Sequence, residues 1–287
     1  MSCVQNSYIL TVTCPDTVGI VASVATYLSQ QNYFVEESAH FGDRDTGMFF
    51  SRTRFSTNGG DWSEDAFREG FAAVGEPFDM RWDVHDAGAP PAVVIMVSKH
   101  DHCLNDLLYR YRTGSLCMTI PAIVSNHEDL RRLADWHGIP FHHVPVTPDT
   151  KAAAEAQLQN IMADTDADLL ILARYMQILS DDLCRSLRGR AINIHHSFLP
   201  GFKGARPYHK AHERGVKLIG ATAHYVTPEL DEGPIIEQMV ERVDHTDDVA
   251  DLAAVGRDAE AMTLARAVKY HIEHRVFLNG TRTIVFR

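Results

Sequence analysis

Between residues 92 and 194, apolar runs of strand length alternate with stretches of helical periodicity, and that alternation narrows the folds open to the chain. Residues 92–97, 118–124, 141–144, 168–173 and 191–194 read as strands. Helices are expected over 103–111, 128–137 and 151–163, with a short one after Ser180. Near-continuous Val, Ile and Leu mark strands covered on both faces, as crossover helices cover a parallel sheet. The expected architecture is α/β, a doubly wound, mostly parallel sheet whose ligand crevice lies outside the carboxyl ends of its strands.

Upstream the order differs. A strand at 8–13 leads to a helix with Val18, Val21, Ala22, Ala25 and Leu28 as its apolar stripe. Strands 33–41 and 48–56 follow, joined by a Gly42 to Gly47 turn, then a helix over 61–75 and a strand over 77–84. Strand, helix, strand, strand, helix, strand is the split ferredoxin-like arrangement. The chain therefore divides into a domain at 1–85, a linker at 86–91 ending in Pro90-Pro91, and a second domain at 92–287. Later elements are a strand-like run at 218–226 and a helix opening at Thr246-Asp247-Asp248 and carrying Val249, Leu252, Val255, Met262 and Val268. A hairpin about Asn279-Gly280 joins 275–278 to 283–286.

Charge and cysteine usage exclude several classes. With 38 acidic against 27 basic side chains and a net charge of -11, the chain repels nucleic acid and anionic membranes. No apolar run approaches a membrane span, and the first residues lack a charged segment followed by an apolar core. Cys3, Cys14, Cys103, Cys117 and Cys184 are odd in number and form no C-x-x-C pair, so neither a disulfide framework nor a zinc ribbon is expected, and a cytoplasmic setting fits. His142-His143, His195-His196 and His209 with His212 cluster without H-E-x-x-H or cysteine pairing, so no metal site is expected.

Residues 191–234 read AINIHHSFLPGFKGARPYHKAHERGVKLIGATAHYVTPELDEGP and set Asn193, His195 and Asp231 at the ends of strand-like runs. Period two puts Asn193 and His195 on one side, and Asp231 arrives at a Pro-Glu-Leu-Asp-Glu-Gly corner. An amide donor, an imidazole and a carboxylate together polarise a carbonyl, hold its oxyanion and move a proton, which is what acyl transfer requires. Each residue alone has a structural reading, as a strand-end cap, a satisfied imidazole or a turn former. Three such coincidences at once are improbable.

INIHHSFLP, the GFKGARP loop and HYVTPELDEGPI resemble the signature of the 10-formyltetrahydrofolate-using hydrolases and transferases. Over its whole length the chain is most similar to the deformylase branch of that group, and its first domain resembles an ACT domain through its element order and the Pro15-Asp16-Thr17-Val18-Gly19-Ile20 turn. The resemblance implies hydrolysis of 10-formyltetrahydrofolate to tetrahydrofolate and formate, supplying formate for purine synthesis and balancing one-carbon folate pools. It implies no cofactor besides the folate substrate. In this scheme Asn193 donates to the formyl oxygen, His195 stabilises the oxyanion and shuttles a proton, and Asp231 orients the imidazole and a water. Whether His195 or Asp231 deprotonates that water stays open.

The same resemblance implies that LARYMQILS, residues 172–180, holds the pterin, with Tyr175, Met176, Gln177, Ile178 and Leu179 among its contacts and Val226, Thr227 and Leu230 facing them. Leu172 reads equally as core, and Ser180 as the cap of the next helix. His196 faces the other way if the strand continues, yet it could help hold water. His224 is a wall of the site or a satisfied buried imidazole. Lys99 and His100 are candidates for support behind the site, and Lys203 and Arg206 meet the folate's glutamate tail or are surface charge.

Transferases acting on glycinamide ribonucleotide carry a glycine-rich phosphate loop after the first catalytic-domain strand. Here that position reads Val97-Ser98-Lys99-His100-Asp101-His102-Cys103, with no glycine between Gly88 and Gly114, so water is the expected acceptor. The rivals are a formyltransferase to an unidentified amine and a non-catalytic folate or amino-acid sensor. The ACT resemblance implies self-association and a small amino-acid effector near Asp16 and Gly19, with glycine and methionine as candidates. The alternative gives those two residues only the shaping of a helix start.

Overall fold

The computed structural model describes residues 6–57, 59, 61–199 and 207–287, and the chain forms two compact units. The first consists of the described residues up to Pro90 together with Glu273–Phe277 and Ile284–Arg287. It runs β1 (Ser7–Pro15), α1 (Ile20–Gln30), β2 (Phe34–Asp43), β3 (Met48–Ser56), α2 (Glu64–Gly75) and β4 (Arg81–Asp86). The antiparallel sheet has the order β2-β3-β1-β4. Leu10, Val12 and Phe55 pack there with Ile20 and Leu28 of α1 and with Phe67 and Phe71 of α2. The Ser63 hydroxyl caps α2 by accepting from the Ala66 amide at 3.3 Å.

Two expectations for this unit are corrected. Val18 is 97% exposed and Val21 is exposed, while Ile20, Val24, Tyr27 and Leu28 are buried. Gly19, with φ +102, opens α1 and places Ile20 at its first position, so the buried stripe begins two residues later and on a rotated face. In place of a strand over 77–84, a 3-10 turn at Glu76–Phe78 and Asp79 at φ +51 redirect the chain. β4 begins at Arg81 and extends through Asp86, into the segment read as linker.

Inclusion of the C-terminal segments in this unit was not legible in local pattern. Arg52, 1% exposed, donates to the Glu273 carbonyl at 2.9 Å across 221 residues of sequence. Arg52 and Arg275 both pair with Glu37, at 3.0 and 2.9 Å, and the His274 ring stacks on His85 at 3.6 Å.

The second unit comprises Pro91–Ile272 and Leu278–Thr283. Its elements are β5 (Ala92–Val97), α3 (His102–Arg112), β6 (Thr119–Ser125), α4 (Arg131–Trp136), β7 (Phe141–His143), α5 (Lys151–Asp164), β8 (Leu169–Leu172) and α6 (Asp181–Ser186). β9 (Ala191–His195), α7 (Pro207–Arg214), β10 (Leu218–Tyr225), β11 (Ile235–Arg242) and α8 (Val249–Ile272) follow, and the chain closes with the hairpin β12 (Val276–Asn279) and β13 (Arg282–Val285). α7 and β11 were not read from the sequence. α7 is polar almost throughout, and the Ile235-Ile236 and Met239-Val240 doublets of β11 blur its alternation.

The seven strands lie in the order β11-β10-β9-β8-β5-β6-β7. β5 to β9 are mutually parallel, and β10 is antiparallel to both neighbours. From β5 the chain moves outward through β6 and β7, then returns to β8 and moves outward the other way. The reversal between β5 and β8 leaves a crevice at their carboxyl ends. On one face Val94, Met96, Val124 and Leu170 pack against Leu158, Ile161 and Met162 of α5 and Leu183 of α6. α3 and α8 pack together, and α8 lies along β9, β10 and β11.

Cys14, Cys103 and Cys184 are free and buried. Cys117 is disulfide-bonded, a pairing that cysteine number and spacing did not suggest. Among the described residues no helix is long and apolar enough to cross a membrane.

Candidate active site

β9 carries Asn193 and ends at His195, beside β10 in a register that sets His224 opposite Asn193. The His224 Nδ1 lies 2.9 Å from the Tyr225 carbonyl oxygen, which only accepts, so Nδ1 bears the hydrogen. In the neutral ring Nε2 then accepts from the Asn193 amide nitrogen at 3.2 Å. This fixes which end of the Asn193 amide faces His224, and the second amide hydrogen is left for a ligand.

Asp231 sits in the loop between β10 and β11 with φ +59. Its Oδ1 is 3.2 Å from His195 Nδ1 and 3.7 Å from His224 Nε2. Burial raises the Asp231 pKa, but the hydrogen bond from His195 and the two imidazoles that face the carboxylate outweigh it and hold the carboxyl well below the usual carboxylate range. The His195 ring is 7% exposed, and its Nε2 is buried without a hydrogen-bond partner among the described residues. A ring anchored at one nitrogen by a carboxylate and unsatisfied at the other is arranged to donate to, or take a proton from, a reacting group.

The Asp231 loop closes because residue 233 is glycine. A Cβ there would collide with the Tyr225 carbonyl oxygen, so the backbone passes where no side chain fits. Gly233→Ala is expected to displace Asp231 and lower turnover by about 10²-fold, since a shift near 1 Å at a reacting group costs that much. Steady-state kinetics would check this, and turnover within twofold of wild type would show that the loop tolerates the shift.

Asn193, His195 and Asp231 line one end of a cavity of about 610 Å³, within the size range of small-molecule sites. Tyr175, Met176, Gln177, Ile178, Leu179, Val226, Thr227 and Leu230 all line it too, as do His196 and His224. Met176, Ile178 and Leu230 are 56%, 60% and 57% exposed, apolar surface left at the mouth for a flat ring to cover. Tyr175 lies deeper, where burial, and then the Glu155 charge, push its pKa up to about 12. Leu172 belongs to the core and also touches the cavity. The Met176 amide donates to the Ser98 hydroxyl at 2.9 Å, and Ser98 donates to Asn126 at 2.7 Å, which tethers the 172–180 loop to the end of β5. Ser180 caps α6 by accepting from the Leu183 amide at 3.3 Å.

A polar part of the cavity lining largely escaped sequence reasoning. Glu260 of α8, 1% exposed, accepts from His102 Nε2 at 2.7 Å and from the Tyr208 hydroxyl at 2.9 Å, and Arg174 Nε lies 3.2 Å away. Burial opposes the charge of Glu260, but the His102 hydrogen bond and the Arg174 charge prevail and lower its pKa. One turn earlier, a Cβ at Gly256 would collide with the Tyr208 hydroxyl, so glycine admits that ring. A signal existed: Glu260 is a lone acid within the buried stripe Leu252, Gly256, Thr263 and Leu264.

Other expected positions differ. β9 stops at His195, so strand alternation no longer directs His196 away; its ring stacks on His195 at 4.6 Å and lines the cavity. Lys99 is exposed and is not part of the lining, whereas His100 and His102 are. Lys203 and Arg206 lie outside the described residues. Asp16 is exposed and packs against Gly42, and Gly19 has the positive φ that opens α1. Among the described residues one group, His102, Cys103 and Glu260, has donor atoms within 4.8 Å of one another, as a metal would need. There Glu260 already has the Arg174 cation beside it and a hydrogen bond from His102.

Residues 92–268 match the formyl transferase family model. The formyltetrahydrofolate deformylase of Corynebacterium sp. (strain P-1) is 50% identical over 283 residues, covering 99% of each chain. The chain belongs to the formyltetrahydrofolate deformylase family. The Escherichia coli (strain K12) deformylase is 38% identical over 290 residues, covering 99% of this chain and 100% of its own. The crystal structure of the Burkholderia mallei ATCC 23344 deformylase superposes with a TM-score of 0.94 at 55% identity, over 99% of this chain and 100% of that one. Glycinamide ribonucleotide transformylase 1 from Symbiobacterium toebii reaches a TM-score of 0.63 at 28% identity and covers 69% of this chain and 95% of its own. The deformylases thus match the chain nearly end to end, and the transformylase matches only part of it.

Proposed function

We propose that the chain hydrolyses 10-formyltetrahydrofolate to tetrahydrofolate and formate in the cavity at the carboxyl ends of β5, β8 and β9. One observation carries the reading: the His195 imidazole, held at Nδ1 by the Asp231 carboxylate, keeps a buried Nε2 that is unpartnered among the described residues, in the cavity that Asn193 also lines. The formyl oxygen accepts from Asn193 Nδ2 and protonated His195 Nε2. Charge that collects on it as water attacks is met by donors already in place. As the carbon–nitrogen bond breaks, His195 protonates N10. The apolar loops at 172–180 and 226–230 hold the pterin, and no cofactor besides the folate substrate takes part.

Water as acceptor is supported by the 98–103 loop, which carries side chains throughout where backbone approach to a phosphate would need glycine. A cytoplasmic setting, with formate passed to purine synthesis, belongs to the same reading. So does self-association through the first unit, where edge strand β2 exposes Phe34, Val35 and Phe41, with an amino-acid effector at the Asp16 and Gly19 turn. The decisive assay is formate release from 10-formyltetrahydrofolate by the purified chain with no amine added. Formate at catalytic rates is expected. Folate binding without formate would replace the hydrolase with a transferase or a sensor.

A further inference from the structure

Among the described residues, two imidazoles of the cavity keep a buried Nε2 without a hydrogen-bond partner, His195 and His196. A buried polar atom left unpaired is uncommon and calls for a reason. For His195 the reason is the formyl oxygen. For His196 the proposed chemistry so far has no use. Yet its ring stacks at 4.6 Å, 30° from parallel, on the catalytic ring, and lines the same cavity.

Hydrolysis needs one more group than Asn193, His195 and Asp231 supply. While His195 Nε2 presents its hydrogen to the oxyanion, that nitrogen cannot also accept a proton from water. Asp231 Oδ1 is engaged by His195 and faces His224, so it is committed to the imidazoles and not to water. We propose that His196 Nε2 accepts a hydrogen bond from the attacking water and takes its proton, which makes His196 the base specific to hydrolysis. This rests on the hydrolase reading and deepens it.

The electrostatics keep the His196 lone pair free. Burial, then the charges of His195 and Arg174, lower the His196 pKa to about 4, against smaller opposing effects of Glu260 and Asp231. The ring is therefore neutral at neutral pH, with a lone pair available, beside a partner that serves as the donor. Arg174 is placed by the Glu260 network, with its Nε 3.2 Å from that carboxylate.

The step balances. The water oxygen bonds to the formyl carbon, one water proton passes to His196 Nε2, and the carbonyl electron pair moves onto the oxygen. When the carbon–nitrogen bond breaks, N10 takes the proton of His195 and formic acid leaves. Formic acid ionises to formate, and the proton on His196 returns to His195 through the cavity, with net release of one proton.

Hydroxylamine tests this, because it attacks as a neutral nucleophile without prior deprotonation. Formate and formylhydroxamate would be measured for wild type, His196→Ala and His196→Gln with 10-formyltetrahydrofolate, using variants whose tetrahydrofolate affinity stays within about threefold of wild type. Formate release is expected to fall about 10²-fold in both variants, with the ratio of hydroxamate to formate rising at least about tenfold. A parallel fall of both products, or formate release within threefold of wild type, would overturn the role of His196. Absence of formate from the wild type would instead overturn the hydrolase reading.

Discussion

In a His195→Ala variant, formate release falls by about 10²-fold or more while tetrahydrofolate binding stays near the wild-type value. The separation follows from the geometry. The ring's polar partner is Asp231 at 3.2 Å, and its Nε2 has none. The apolar surface for the pterin comes from other loops, including Tyr175 and Val226. Removing the ring deletes an oxyanion donor and the acid for N10 together, and leaves the folate contacts in place. The loss therefore sits in turnover, and the Michaelis constant moves little. Comparable turnover of the two proteins in a single-turnover assay would show that His195 does not touch the reacting atoms. Loss of folate affinity with retained turnover would assign it to binding instead.

Much of this arrangement could be read from local pattern. Asn193 and His195 are two residues apart on a strand, so period two alone puts them on one side, and the run of strands and helices from residue 92 put their strand in a parallel sheet. Polar contacts between distant segments were harder to anticipate. Glu260 meets His102 across 158 residues and Tyr208 across 52, and no spacing rule links them. His196 was read with strand alternation because the end of β9 depends on tertiary context, and one residue of difference reverses a side chain's direction. The α1 stripe failed for a related reason: Val18 and Ile20 are equally apolar, and the positive φ of Gly19 decided which of them opens the helix. Of the two candidates Lys99 and His100, the chain turns His100 into the cavity together with His102 and leaves Lys99 exposed.

Asp231→Asn, which changes one atom and keeps the loop's shape, is expected to lower turnover by about 10³-fold with folate still bound. A carboxylate only accepts, so it requires Nδ1–H on His195 and stabilises the imidazolium. An amide in its place offers hydrogens of its own, admits the other tautomer and carries no charge against the cation. The stability effect has a definite sign. The folded carboxyl of Asp231 titrates below its unfolded value, so its contribution is fully present above the ordinary carboxylate range and is lost as pH falls through the folded value. Wild type is therefore expected to unfold at higher denaturant than Asp231→Asn at neutral pH, with the gap narrowing as pH drops below about 4. Equal turnover in the two proteins would remove Asp231 from the mechanism. A gap in stability that does not change with pH would show that the loop, and not the ionised carboxylate facing His195 and His224, accounts for the difference.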